Sequence, residues 1–356
     1  MPTRRRFLSS VAIASIYPGG LWADLDNPQF LSAGLKGNHH FIFGLDNSGR
    51  ISFSVKLPDR GHAAAVHPWA PLAVAFARRP GNFASIINCQ LGKITNELVL
   101  PKGRHFYGHG VFSPDGRFLF TTENYFEKSI GLIGVWDREK SFARVQEYYS
   151  GGIGPHDIVY DRTSRKLVVA NGGIETHPET GRTKLNIPFM KSNISFLELN
   201  GKITKKITLG DNIFKNSIRH LDINKSGDLA FAMQWQGLKS ASPALLGLKG
   251  QDDRVFLLKA PSVEHGLMHG YTGSISFSSD GNEIAISSPH HGIVQIFNVR
   301  DRMYNKNFIA NDICGLSNNA DMFVMTTGSG NIVLYRNNHI ELIETKISWD
   351  NHLIKI

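Results

Sequence analysis

Residues 109–122 read HGVFSPDGRFLFTT. Apolar and polar residues alternate on either side of Pro114-Asp115-Gly116, which is the period of a strand. The centre is turn chemistry: proline presets φ, aspartate bonds back onto its own backbone, and glycine accepts positive φ. The segment reads as a β-hairpin. The same template returns at HLDINKSGDLAFAM from His220, with Gly227 in the place of Gly116, and at SISFSSDGNEIAISS from Ser274, with Gly281 there. It returns with altered turns at HAAAVHPWAPLAVAFA from His62, HDIVYDRTSRKLVVAN from His156 and CGLSNNADMFVMTT from Cys314. More strand-like sequence follows each copy, such as IGLIGVWD or GIVQIFNV. Successive copies start 47, 47, 64, 54 and 40 residues apart, counted from His62. Four short antiparallel strands per unit, repeated radially, predict an all-β protein: a seven-bladed β-propeller of the WD40/YVTN-like kind. Six blades come from the six copies. The seventh is split, with its last strand in WDNHLIKI at the C-terminus and three more in QFLSAG, HHFIFGL and RISFSVKL near the N-terminus. Sharing a blade between the termini closes the ring and leaves no open edge strand.

The inner strand of each blade lines the channel, so its first residue belongs at one mouth. Those first residues are His62, His109, His156, His220, Ser274, Cys314 and His352. Neutral imidazole suits iron, copper and zinc. A ring of His62, His109, His156, His220 and His352, with Cys314 as a further ligand, is therefore a candidate site for a transition metal, iron or copper. Nearby carboxylates such as Asp157 and Asp350 would orient the imidazoles. The same hairpin geometry brings the ends of the second strands to this mouth. Arg60, Arg78, Arg104, His105, Glu123, Asn124, Asp157, Asn171, His177, Arg182, Arg219, Gln234, Trp235 and His290 are the candidate ligand-binding residues there. The long gap after His156 holds the insertion GGIETHPETGRTKLNIPFMKSN, read as a lid carrying His177, Arg182, Lys184 and Met190.

Other readings of the same residues stay open. Histidines at these positions can simply hydrogen-bond one blade to the next. Glu123 or Asp157 beside histidines could serve general acid–base chemistry, with Arg78, Arg104 and Arg219 holding a small anionic substrate. That would be a lactonase- or quinoprotein-like enzyme. A protein-interaction platform without metal is the third reading. No nucleophile elbow and no His-x-x-x-His or Cys-x-x-Cys spacing decides between them.

Composition narrows the field. With 41% hydrophobic and 19% charged residues, the chain can form a substantial core. Its net charge of +9 is not gathered into a basic, aromatic-interleaved run, so nucleic acid is not an expected partner. Two cysteines, Cys89 and Cys314, do not make a disulfide scaffold. At the N-terminus, Thr3-Arg4-Arg5-Arg6-Phe7-Leu8 precedes the modest apolar stretch SSVAIASIYPGGLWA. This resembles a twin-arginine signal over residues 1–23, leaving residues 24–356 as one propeller domain in the periplasm. No segment has the run of about 18 apolar residues that a spanning helix needs, so no membrane span is expected in the mature protein.

The motifs RGH at 60, GRHFYGHGVFSPDG at 103, TTEN at 121, GVWD at 134, GIGPHD at 152, VANGGIETHPETGRTKLN at 169, SIRHL at 217, QWQG at 234, CGL at 314 and WDNHL at 349 together resemble one family. It is the twin-arginine-exported propellers of domain of unknown function 1513. The resemblance implies a periplasmic propeller. It also implies iron handling, because family members are often encoded beside imelysin-type lipoproteins and di-haem oxidoreductase-like proteins, and it names imelysin-type proteins as candidate partners. It supplies no activity.

Overall fold

The computed structural model describes residues 21–25, 27–79 and 81–356; the arginine motif at Arg4-Arg5-Arg6 lies outside them. Among the described residues, 28 strands form seven four-stranded antiparallel sheets. Blade 1 spans residues 61–97, blade 2 104–149, blade 3 155–208, blade 4 216–258, blade 5 274–309 and blade 6 313–344. Blade 7 joins the chain ends: Ile347–Lys355 is its inner strand, and Phe30–Lys36, His39–Leu45 and Ile51–Lys56 complete it. The seven-bladed propeller and its split last blade are thus as the sequence predicts.

The repeated turns explain the repeated hairpins. In blade 2 the Ser113 hydroxyl accepts from Phe118 N at 2.9 Å, the Ser113 carbonyl accepts from Gly116 N at 2.8 Å, and Gly116 has φ of +72°. Blade 5 repeats this with Ser278, Glu283 and Gly281, the last at φ +76°. Blade 4 uses the Asn224 side chain in the place of serine, with Gly227 at φ +87°. A positive φ is nearly free only for glycine, which is why the turn glycine recurs in the copies that keep this turn.

Large apolar side chains pack between neighbouring sheets. At the closure, Phe30, Phe43, Leu45, Ile347, Trp349 and Leu353 of blade 7 are all buried against Val324 and Ile332 of blade 6. The Trp349 ring meets Phe43 edge-on at 5.2 Å, and its Nε1 donates to Thr345 Oγ1 at 3.1 Å. Trp22, inside the segment read as a signal, packs with Leu31, Leu57 and Ile87, and its Nε1 donates to the His67 carbonyl. Among the described residues no helix is long and apolar enough to cross a membrane.

The inner strands are irregular in one recurrent way. Their ladders to the second strand break between Gly61 and Ala64, Phe106 and Gly110, Pro155 and Asp157, Ile218 and His220, and Ile313 and Leu316. In blade 7 the break lies between Ser32 and Gly34, opposite Trp349 and Leu353. Only the inner strand of blade 5, Ser274–Phe277, pairs without a shift. A bulge bends a strand and re-aims a side chain. Here each histidine-bearing inner strand has its bulge at the histidine.

Removing residues 347–356 should abolish the soluble monomer. The deletion strips Ile347, Trp349 and Leu353 from the core, each worth roughly 2–3 kcal/mol of burial, and bares the Phe30–Lys36 edge. Size-exclusion chromatography and thermal unfolding check this; a monomer with unchanged unfolding would contradict the closure.

Candidate metal centre

The five inner-strand histidines meet on the propeller axis. Ring centroids lie 4.4 Å apart for His62 and His352, 4.8 Å for His109 and His352, and 4.8 Å for His156 and His220. His62 and His109 are 5.1 Å apart, as are His109 and His156, while His220 and His352 are 5.0 Å apart. Two overlapping groups each offer three ligand atoms within 4.8 Å of one another: His62, His109 and His156, and His109, His220 and His352. His109 belongs to both. Bound nitrogens at ~2.0–2.1 Å from one ion would stand about 3.3 Å apart, so the groups close on a metal by small side-chain shifts.

The surroundings set which nitrogens are free. His109 Nδ1 lies 3.1 Å from Asp157 Oδ1, and its Nε2 is buried with no hydrogen-bond partner. His156 Nδ1 donates to the Arg219 carbonyl at 3.1 Å, which leaves Nε2 as the lone-pair nitrogen. His352 Nε2 is likewise buried and unpartnered. His62 Nδ1 is 3.8 Å from Asp350 Oδ1, ion-pair range but too long for a hydrogen bond. An imidazole held by a carboxylate or carbonyl on one nitrogen and bare on the other is the arrangement of metal-ligating histidines.

The acids tie the ring to the blades. Asp157 follows His156 in blade 3, yet its Oδ1 reaches His109 of blade 2 and its Oδ2 accepts from Leu221 N of blade 4 at 3.0 Å. Asp350 accepts from Arg60 Nε at 2.5 Å and Arg78 Nη1 at 2.7 Å. Burial alone would raise both carboxyls. The facing His109 outweighs it at Asp157, and His62, Arg78 and Arg60 outweigh it at Asp350, so each is held below its usual range. Both stay anionic at neutral pH. Burial drives the imidazoles the other way: His62 falls to about 4 and His220 to about 3, and His156 and His352 drop well below 6.5. These four rings are neutral at pH 7, the form that ligates.

The other two ring positions stand apart. Cys314 belongs to neither group; its Sγ is 3.1 Å from the Asp312 carbonyl, and burial pushes the thiol up to about 12. Such a thiol is protonated and inert. Ser274 Oγ accepts from Leu316 N at 3.2 Å and joins blade 5 to blade 6.

The remaining candidates divide between mouth and blade interior. Arg60, Arg78, Asp157 and Arg219 adjoin the histidines as described. The insertion does fold over this mouth: Asn124 Nδ2 donates to the Thr176 carbonyl at 3.0 Å, Arg182 Nη2 to the Arg79 carbonyl at 2.8 Å, and Lys184 Nζ to Gln236 Oε1 at 2.5 Å. Its His177 ring packs on Phe126 at 4.9 Å, and Phe126 stacks on His105; Met190 is fully buried. Glu123 and Arg104 go elsewhere. Glu123 is fully buried and takes two hydrogen bonds from Arg144, at 2.6 and 2.9 Å, while Arg104 pairs with Glu147. Asn171 is spent on Asn193 within blade 3 and on the carbonyl of Ser150 in the segment joining blades 2 and 3. Gln234 donates to the Thr272 carbonyl, Trp235 to the Leu238 carbonyl, and His290 packs edge-on against Tyr271. The sequence gives Tyr107 no site role, yet it is buried beneath the lid with its hydroxyl beside Thr176. Its only signal is a place two residues before His109.

Fold and site together define a seven-bladed propeller whose axis is filled near one mouth by a buried histidine cluster. Residues 55–356 match the family described as "Protein of unknown function (DUF1513)", and the chain belongs to that family. A search of curated proteins finds no match. Among solved structures, the chain is similar to one from the hydrazine synthase of Kuenenia stuttgartiensis, with 12% identity, a TM-score of 0.61, and coverage of 96% of this chain and 99% of that one. At that identity the likeness is one of fold.

Metal-free protein should lose stability as pH falls below 6.5. The unfolded chain protonates histidines near 6.5, whereas folded His62 and His220 wait until about 4 and about 3, so the unfolded state binds more protons in between. Each such histidine costs up to about 1.4 kcal/mol per pH unit across that window, with full stability above it. Urea unfolding at pH 7.5 and pH 5 should show a clearly lower midpoint at pH 5; equal midpoints would contradict neutral burial.

Proposed function

We propose that the protein binds a transition metal, iron or copper, through the histidine cluster and serves iron or copper handling in the periplasm. One observation carries the reading: His109, shared by both ligand groups, has Nδ1 at Asp157 and a buried Nε2 with nothing to bond. Leaving it bare in the interior is costly unless something occupies it. A bound ion would accept the lone pairs of neutral imidazoles. The all-imidazole set suits iron, copper or zinc and has no hard-oxygen ligands for calcium or magnesium. His62, His109, His156, His220 and His352 are the proposed ligands, with Asp157 and Asp350 as their positioning residues. Cys314 is left out for the reasons given above.

The lactonase- or quinoprotein-like alternative draws on Glu123 and Arg104, and both are committed to ion pairs inside blade 2. No observation favours it over metal binding. The periplasmic assignment rests on Arg4-Arg5-Arg6-Phe7-Leu8, and an imelysin-type partner rests on the family's gene neighbourhoods. Twin-arginine export passes folded proteins, so the metal could be seated before export.

Chelator-treated protein, titrated separately with Cu(II), Fe(II) and Zn(II), should take up a stoichiometric ion as read by calorimetry and elemental analysis. His109→Gln should lose occupancy before it loses metal-free stability, because it removes a ligand from both groups. Asp157→Asn should weaken binding about 10- to 100-fold by releasing the His109 ring. Stoichiometric metal retained in both His109→Gln and His156→Gln would end the ligand assignment.

Export has its own test. Replacing Arg4, Arg5 and Arg6 by lysine should strand the precursor in the cytoplasm, as followed by cell fractionation. Normal export of that variant would refute the twin-arginine reading.

A further inference from the structure

Directly above the histidines, under the lid, Arg79 and Arg219 gather with, among the described residues, no carboxylate within ion-pair distance of either. Arg219 precedes His220, and its own carbonyl takes the His156 Nδ1 bond, so its backbone is part of the histidine ring. Its guanidinium turns toward the lid: a Cβ on Gly172 would stand 3.5 Å from Arg219 Cζ. Gly172 N donates to the Gly154 carbonyl at 2.8 Å, and a Cβ on Gly154 would stand 3.5 Å from the Tyr107 hydroxyl. Arg219 and Tyr107 therefore flank one glycine-lined spot. Arg79 completes it, with its Cζ 5.4 Å from the centre of the Tyr107 ring and its Nη1 on Thr176 Oγ1 of the lid at 2.9 Å.

The polar groups at this spot are under-used. Arg219 Nε and the nearby His105 Nε2 are buried with no hydrogen-bond partner, and the Tyr107 hydroxyl is buried beside Thr176, whose oxygen already accepts from Arg79. Among the described residues, Arg79, Arg182, Lys184 and Arg219 have no carboxylate within ion-pair distance. The acid on the adjoining lid segment, Glu175, is held by the Ser129 hydroxyl. Arg79 lies over the Tyr107 ring and Arg219 sits at the glycine turn beside the Tyr107 hydroxyl, so two like charges share one half-buried place. Burial and Arg182 lower the Arg79 pKa. Arg79 and Arg219 are both half-buried, and like charges drawn together out of full solvent favour an anion between them.

We propose that Arg79, Arg219 and the Tyr107 hydroxyl form a binding site for a small oxyanion, a carboxylate or phosphate, between the lid and the histidine cluster. Two guanidinium forks suit the oxygens of either group, and a phenol adds one neutral donor. Glycine at 154 and 172 lets the chain pass close to Ile174 and Ser217, which brings the Tyr107 hydroxyl and Arg219 to the same turn. The lid supplies Thr176 to fix Arg79, which makes the site a product of the insertion. The site goes beyond the metal reading and stands without it.

The test uses chelator-treated full-length protein at constant ionic strength, with chloride as the reference. Phosphate and citrate are titrated in separate arms, read by thermal unfolding and calorimetry. A ligand bound only by the folded state raises the unfolding temperature in proportion to its saturation. The expected result is a saturable rise with one or both anions over chloride; whichever arm binds more tightly names the source. Arg219→Gln and Arg79→Gln should each weaken binding at least about tenfold, as expected for loss of a charge-assisted pair, and Tyr107→Phe should weaken it less. Without anion, Arg219→Gln should be as stable as the parent or more so, because it removes a repelling cation; a purely structural arginine would instead leave the variant less stable. No rise over chloride in either arm, or a rise kept in both arginine variants, would overturn the proposal. Metal uptake is measured separately, so loss of the anion site leaves the metal reading standing, and the reverse.

Discussion

The strand pairing of Ile347–Lys355 with Phe30–Lys36 is the contact on which the remaining geometry depends. It joins residues more than three hundred positions apart, and it turns a row of sheets into a ring. Only in a closed ring do the inner strands share one axis, and only there can five histidines from five blades each come within 4.4–5.1 Å of another. The apolar wedge of Phe30, Phe43, Trp349 and Leu353 supplies the stabilisation that holds this long-range closure against its chain entropy. The centre of the molecule can then carry polar groups that contribute little to folding.

Those polar groups are arranged so that each acid serves two purposes. Asp157 orients His109 and also accepts a backbone N–H from blade 4; Asp222 does the same kind of stapling to Phe277 N of blade 5, and burial raises its carboxyl to about 6. Asp350 faces His62 and anchors two arginines of blade 1. The blade-to-blade buttress and the candidate metal site are thus made of overlapping residues. One nitrogen serves each purpose: His156 and His109 hold one on a neighbouring carbonyl or carboxylate, and His109 and His352 keep one buried and bare. The lid adds a second layer, cationic and short of acidic partners, over the ring of imidazoles.

Much of this was legible in the chain itself. The Pro-Asp-Gly, Ser-Asp-Gly and Lys-Ser-Gly turns are local signals, since a side-chain bond across four or five residues and one positive φ decide them. Period-2 alternation marked the strands for the same reason, and the spacing of the copies with WDNHLIKI left over implied seven blades and a split closure. The inner-strand starts also placed His62, His109, His156, His220 and His352 on one ring. Tertiary structure decided which ring members face each other. The bulges that turn the histidines inward arise from a mismatch with the partner strand, which no single strand encodes. Glu123 and Arg104 lie in sequence beside the mouth, but Arg144 and Glu147 of the outer strand draw them into the blade, because a buried carboxylate takes the nearest bidentate cation. Cys314 occupies a ring position yet bonds to the Asp312 carbonyl. Tyr107, Arg79 and Arg219 come from three blades, so their meeting under the lid exists only once the ring has closed.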